Sequence, residues 1–274
     1  VLIKERDNDV FTETQMRARL AVIFLSFIIV GIMSIVSVLP VMLSIRDMFY
    51  RHRASGMVDS KSLGWALGSS EKGFILVSST IFCIIFLGVA GADRGLLEFW
   101  VSAGDVPSAK TYICSSNSLL LLYFYQAFFT FNLAIYSYFG QAFVCLFRSM
   151  ATAQILASVF IGINNFFSGL IVRPQFLTGF FEIPYWITPG HYVYEGMVTA
   201  LFSKDNGTVI ADPDSDFYNF IDCPGRNITE GCTGTISQFV DIFFGERFSY
   251  DNRLLDYLVL GFCLVLARLL TFLA

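Results

Sequence analysis

The sequence predicts an all-α polytopic membrane protein, and three observations predict it. Apolar residues make up 55% of the 274 positions and charged ones only 15%. The uncharged stretches are as long as a bilayer is thick, and the charges gather in the segments between them. A soluble domain of this length needs far more charged surface. Thirty phenylalanines and 12 tyrosines suit lipid contact and interfacial belts, and the mean hydropathy of +0.64 agrees. The net charge of −4 tells less than where the charges lie.

Residues 1–19 are polar and end in Arg17 and Arg19, after which residues 20–45 carry no charge. A helix rises about 1.5 Å per residue and the hydrocarbon core is about 30 Å thick, so this run spans with some tilt. Pro40 falls near its end and is a candidate kink. Residues 46–72 hold five Lys/Arg against three acids, which marks a cytoplasmic loop under the positive-inside rule. A second span is predicted over 73–92, a third over 119–147 after a polar start at 114–118, and a fourth over 151–172, which contains Asn164 and Asn165. The last span, 254–274, has Asp256 at its entry and Arg268 deep enough to need a partner or to snorkel.

Two segments remain. Residues 174–202 are apolar but broken by Pro184 and Pro189, with Glu182, His191 and Glu195 among them. Residues 203–253 carry nine acids against four Lys/Arg, and hold the sequons at Asn206 and Asn227 and the pair Cys223 and Cys232. Sequons and a cysteine pair together favour an extracytoplasmic loop, glycosylated and disulfide-closed. With 46–72 inside, residue 173 emerges outside. A full crossing by 174–202 would put the sequons inside, whereas a dip and return keeps them outside. A re-entrant hairpin is therefore expected, since irregular backbone at membrane depth is tolerated where protein covers it. Glu182 and Glu195 are expected at its aqueous rim.

No Walker A pattern, H-E-x-x-H or G-x-S-x-G occurs in the sequence, and the only histidines are His52 and His191. No catalytic residue, resident metal or nucleic-acid partner is expected. The chain begins at Val1 and ends at Ala274 inside an apolar run, so it is expected to be part of a longer polypeptide.

Phe49-Tyr-Arg-His-Arg-Ala-Ser-Gly56 resembles the loop of G-type (pleiotropic drug resistance) ABC exporters. Phe167-Ser-Gly-Leu-Ile-Val172 and Ile183-Pro-Tyr-Trp-Ile-Thr-Pro189 are similar to the end of that family's fifth helix and its re-entrant turn. The cysteine-bearing loop and Phe243-Phe-Gly245 match as well, so the resemblance covers nearly the whole chain, the family's first helix being absent. It implies a type-2 exporter helix bundle with a nucleotide-binding domain in cis, where ATP and Mg would sit, and a second transmembrane half, in the same chain or as a homodimer. It also implies membrane lipids and an amphipathic substrate as partners, and a plasma-membrane location. By position, Phe49, Tyr50, Arg51, His52, Arg53 and Gly56 would form the coupling element. Leu170 and Ile171 would be a valve, and Asn164, Asn165 and Phe166 would face the substrate cavity. For the two asparagines, hydrogen bonding between helices is an equal alternative.

The sequence departs from the family pattern in two places. His52 stands where the family usually has Glu, and Glu71-Lys-Gly73 replaces a Glu-hydrophobic-Pro. An ion-coupled secondary carrier is the alternative function, though such carriers usually show mid-membrane acids and repeated halves.

Overall fold

The computed structural model describes residues 10–90, 116–147, 149–202, 207–212, 215–221, 232–245 and 247–273. Its helices are α1 (Glu13–Ala54), α2 (Ser60–Ala90), α3 (Ser116–Leu146), α4 (Met150–Phe166), α5 (Glu182–Ile187), α6 (Pro189–Phe202), α7 (Asp216–Phe220), α8 (Ile236–Phe244) and α9 (Arg253–Leu273). Three short strands, β1 (Val10–Thr12), β2 (Thr208–Ile210) and β3 (Thr233–Thr235), complete it. Among the described residues, α1, α2, α3 and α9 are long and apolar enough to cross a membrane, and α4 is a shorter apolar helix of 17 residues.

Helix α1 runs well beyond the uncharged stretch at both ends, and α2 takes in residues 60–72. The connection between them is thus confined to residues 55–59 rather than 46–72. The reason is local: residues 13–19 and 46–54 contain no Gly or Pro. Charge ends the apolar span but not the helix. Helix α1 also continues unbroken through Pro40. Helix α4, by contrast, stops at Phe166 and not at Val172. Gly169 follows with φ +106°, a backbone geometry that other residues rarely adopt.

Helix α3 is the axis of the bundle and touches α1, α2, α4, α6 and α9. Small and polar side chains hold these contacts, as expected where lipid removes the hydrophobic drive between helices. Ser34 and Ser137 meet at 2.7 Å, Asn132 Nδ2 donates to the Phe27 carbonyl at 3.0 Å, and Gln126 Nε2 donates to Ser79 Oγ at 2.9 Å. Helix α1 buries Met16, Leu20, Ile23, Phe27, Gly31, Ile35, Leu39 and Met42, a single helical stripe. Its opposite face leaves Leu25, Ile29, Met33 and Val36 exposed.

A three-stranded sheet was not expected. Strand β1 pairs parallel with β2, and β2 pairs antiparallel with β3. Both outer strands pass straight into a helix through the same capping box, Thr12 with Gln15 and Thr235 with Gln238. The sheet fixes the start of α1 beside the 207–245 segment. The other end of the bundle gathers the end of α1, the start of α2 and the end of α9, where Trp65 meets Phe272 at 6.4 Å.

Candidate substrate path and coupling end

The last turn of α4 carries two asparagines, and a tyrosine from α3 lies between them. Asn164 Nδ2 donates to Tyr136 Oη at 2.8 Å, and Tyr136 Oη donates to Asn165 Oδ1 at 2.9 Å. The Gly190 N–H, at the start of α6, donates to Asn164 Oδ1 at 2.8 Å. The Asn164 amide is buried and engaged at both ends. It ties α3, α4 and α6 together, which is the interhelical reading of this residue. Asn165 is half-buried, and Phe166 is 46% exposed on the face that also presents Ile155, Val159 and Ile163. The three predicted cavity residues are neighbours, but they do not share one environment.

Beyond Phe166 the chain turns. Leu170 packs partly against the core while Ile171 is exposed, so the two predicted valve residues point differently. Arg173 then reaches the Phe243 ring of α8, its guanidinium 4.1 Å from the centroid. The path descends through α5 and returns along α6, from Gly190 beside Asn164 to Phe202 shortly before β2. Both ends of this excursion therefore lie next to the sheet and α8.

The lower turn of the excursion is aromatic. His191 is buried, stacked on Tyr185 at 4.2 Å and close to Tyr192, with Nδ1 3.2 Å from the Thr188 carbonyl. Burial pushes the imidazole down to about 3, so it is neutral. Glu182 sits at a half-exposed rim and pairs with Arg247 at 3.3 Å. Glu195 does not belong to that rim. It is 4% exposed and accepts hydrogen bonds from the Ser249 N–H and Asn252 Nδ2, each at 3.1 Å. The sequence placed it at the aqueous mouth; the 249–252 turn covers it instead.

At the opposite end, Phe49, Tyr50, Arg51, His52 and Arg53 lie on the final turns of α1. Tyr50 and the basic trio are exposed, Phe49 is half-buried, and the Arg53 guanidinium stands 5.9 Å from the Phe49 ring. Gly56, at φ +73°, ends the helix, with its N–H donating to the Arg53 carbonyl at 3.0 Å. Three basic side chains in the last turn suit the negative end of the helix dipole. Arg46 Nη1 donates to the carbonyls of Val144 and Phe147, both at 2.7 Å, and so fastens this end of α1 to the end of α3.

Sequence reasoning missed Tyr136 and Gly190 as participants, and it read Arg46 as part of the basic loop rather than as the link to the end of α3. A lone tyrosine in an aromatic-rich helix gives no signal, while the Pro189-Gly190 pair marks a helix start. The predicted glycosylation sites Asn206 and Asn227 lie outside the described residues, as does Cys223. Cys232 is described, and its carbonyl accepts from the Ala211 N–H at 2.9 Å. Among the described residues no group of three His, Cys, Asp or Glu side chains comes together to hold a metal ion.

The family model for the ABC-2 type transporter matches residues 7–202. The chain is 27% identical over 204 residues to ABC transporter G family member 53 of Oryza sativa subsp. japonica, covering 72% of this chain and 12% of that protein. It is 27% identical over 195 residues to Pleiotropic drug resistance protein 1 of Nicotiana tabacum, covering 69% and 12%. With ABC transporter G family member 35 of Arabidopsis thaliana it shares 24% identity over 251 residues, 91% of this chain and 15% of the relative. The matched region thus spans well under a fifth of these relatives' length.

Proposed function

The chain belongs to the ABC-2 type transporter family, as the membrane domain of a G-type transporter, and we propose that it is the membrane half of an ATP-driven exporter of amphipathic molecules or lipids. The observation that carries this reading is the continuity of α1. One helix joins the outer sheet to an exposed basic and aromatic turn at Phe49–Gly56. A nucleotide-binding domain in cis, holding ATP and Mg, would press on that turn. A rigid helix delivers such a push to the opposite side of the bundle without a break.

The remaining assignments extend the same reading. A second transmembrane half, from the same chain or a second copy, faces the exposed apolar stripes of α1 and α4. Asn165 and Phe166 contact substrate in the space between halves, while Asn164 keeps α4 in place. Leu170 and Ile171 close the outer exit. Residues 174–202 form a re-entrant hairpin, and 203–253 lie outside, glycosylated at Asn206 and Asn227 and closed by a Cys223–Cys232 disulfide. The described free thiols are Cys83, Cys145 and Cys263, which supports that pairing. The plasma membrane is the proposed location.

The test uses the full-length parent protein in inside-out vesicles. The double variant Arg51→Glu and Arg53→Glu should keep ATP hydrolysis while losing ATP-dependent transport. Unchanged transport would remove the coupling role from this turn. Uptake that ignores ATP but follows an imposed ion gradient would favour the secondary-carrier reading instead.

A further inference from the structure

Two arginines share one ring at the sheet end of the bundle, and the coupling reading has no use for them. The Arg173 guanidinium stands 4.1 Å from the centroid of the Phe243 ring, and that of Arg17 stands 5.9 Å from the same centroid. Arg173 comes from the turn after α4, two residues beyond Ile171. Arg17 comes from the second turn of α1, three residues before the uncharged run begins at residue 20. With that run in the bilayer, both cations lie at headgroup level, beside the exit assigned to Leu170 and Ile171.

The ring and the turn are held in place. Phe243 is buried, with its ring 4.9 Å from that of Phe244 and 5.8 Å from that of Phe239. Pro174 is buried, the Phe176 N–H donates to the Arg173 carbonyl at 3.0 Å, and a Cβ on Gly245 would stand 3.0 Å from the Gln175 Cβ. The turn is thus locked against the end of α8. The two charges are satisfied unequally. Arg17 pairs with Glu13, which is buried and also accepts from the Asp212 N–H at 3.3 Å. Arg173 caps no helix with its side chain, and among the described residues its guanidinium has no hydrogen-bond acceptor and no ion-pair carboxylate. Exposed Asp216 and the engaged Glu13 act on it only through space, and Arg17 opposes them. A guanidinium over a ring is engaged through its face, which leaves the N–H groups in its plane for another acceptor. That planar fork matches the two oxygens of a carboxylate or phosphate.

We propose that Arg173, with Arg17 beside it, receives the anionic head of an amphiphile, a phosphate or carboxylate, at the outer mouth. The proposal rests on the exporter reading for the route by which the amphiphile arrives. The fork of Arg173 takes the oxygens, Phe243 backs the guanidinium, and the apolar tail lies along exposed Ile171 and Phe166. Helix α4 has no charged residue of its own, so a charged head meets its first fixed cation on this side only beyond Ile171. An outer-leaflet phospholipid presents the same chemistry as an exported amphiphile, and the two sources are separable.

The experiment uses the purified full-length transporter in phosphatidylcholine nanodiscs with two probes, a long-chain alkyl phosphate and the alkyl alcohol of the same length. The wild type should prefer the phosphate. Arg173→Gln should cut that preference about tenfold, the worth of one charge-assisted hydrogen bond, and Arg173→Lys should retain most of it. Glu13 keeps Arg17 in both variants, so the start of α1 stays anchored. Displacement of the alkyl phosphate by added phosphatidylglycerol would assign the site to a bilayer headgroup. A matching fall in ATP-dependent uptake of alkyl phosphate relative to alcohol, in inside-out vesicles, would assign it to the exported molecule. A preference unchanged by Arg173→Gln, or an equal loss of binding for both probes, overturns the proposal. Wild-type vesicles that take up neither probe with ATP would count against the exporter reading, while the binding preference still decides the site.

Discussion

Asn164 and Asn165, adjacent in the last turn of α4, sit in different environments, one buried and one half-buried. Asn164 is enclosed by protein, and replacing it leaves the Gly190 N–H and the Tyr136 hydroxyl each short of a partner. Asn164→Ala should therefore cost about 1–2 kcal/mol, read as a lowered unfolding temperature, without changing which substrates compete for transport. Phe166→Ala should do the reverse, shifting the competition profile at little cost in stability, whereas Asn165→Ala should shift it and also leave the buried Tyr136 hydroxyl without its acceptor. If Asn164→Ala alone altered selectivity, the scaffold role would be wrong. His191 offers a second test at this scale. Its neutral form is enforced by burial, so between its ordinary pKa of 6.5 and about 3 only the unfolded chain takes up the proton. Stability then falls as pH falls through that window. In His191→Phe, which retains an aromatic ring against Tyr185, the acid-side decline should be shallower by the slope of one titrating group.

Between elements, the contact of α2 with α9 is a matched pair of notches and knobs. Gly64 and Gly68, four apart on α2, receive Phe272 and Arg268, four apart on α9. A Cβ on Gly68 would stand 1.9 Å from the Arg268 guanidinium, which also donates to Gln141 at 2.9 Å and lies over the Tyr138 ring at 4.1 Å. Gly68→Ala should push that side chain off Gln141 and destabilise the bundle by about 1–3 kcal/mol, measured as a drop in unfolding temperature. Gly73→Ala, where a Cβ meets nothing within 4 Å, is the control and should be neutral or slightly stabilising. That Arg268 needs either a partner or a route to the interface was foreseeable from its depth, but which of the two, and which partner, was not. Gln141 is one polar residue among several on α3, and only the fold says which of them faces α9. Helix existence was legible from uncharged runs and helix ends were not, since 13–19 and 46–54 are helical without being apolar. The sheet was invisible for a different reason. Three-residue strands are too short to show alternation, and β1 pairs with a segment far along the chain.

For the whole molecule, that sheet decides how the ends are arranged. Residues 10–12, 208–210 and 233–235 lie side by side, so the start of α1 and the acidic segment occupy the same end of the bundle. Helix α1 has 42 residues, about 63 Å at the usual rise, or roughly twice the thickness of the hydrocarbon core. If α1 crosses the bilayer as proposed, it projects into water at both ends, and the turn at 55–59 stands clear of the membrane on the side opposite the sheet. Single cysteines read this directly, because Met57 is 74% exposed and Thr233 is also exposed. Among the described native thiols Cys83 and Cys263 are buried and Cys145 is half-buried, so each signal is read against the parent protein without the added cysteine. In intact cells a membrane-impermeant maleimide should label Thr233→Cys at once and Met57→Cys only after permeabilisation. Labelling of both from outside would mean that α1 does not cross, and the rigid-helix account of coupling would fall with it. Labelling in the reverse order would keep the crossing but turn the bundle over, placing the basic turn where no cytoplasmic nucleotide-binding domain could reach it.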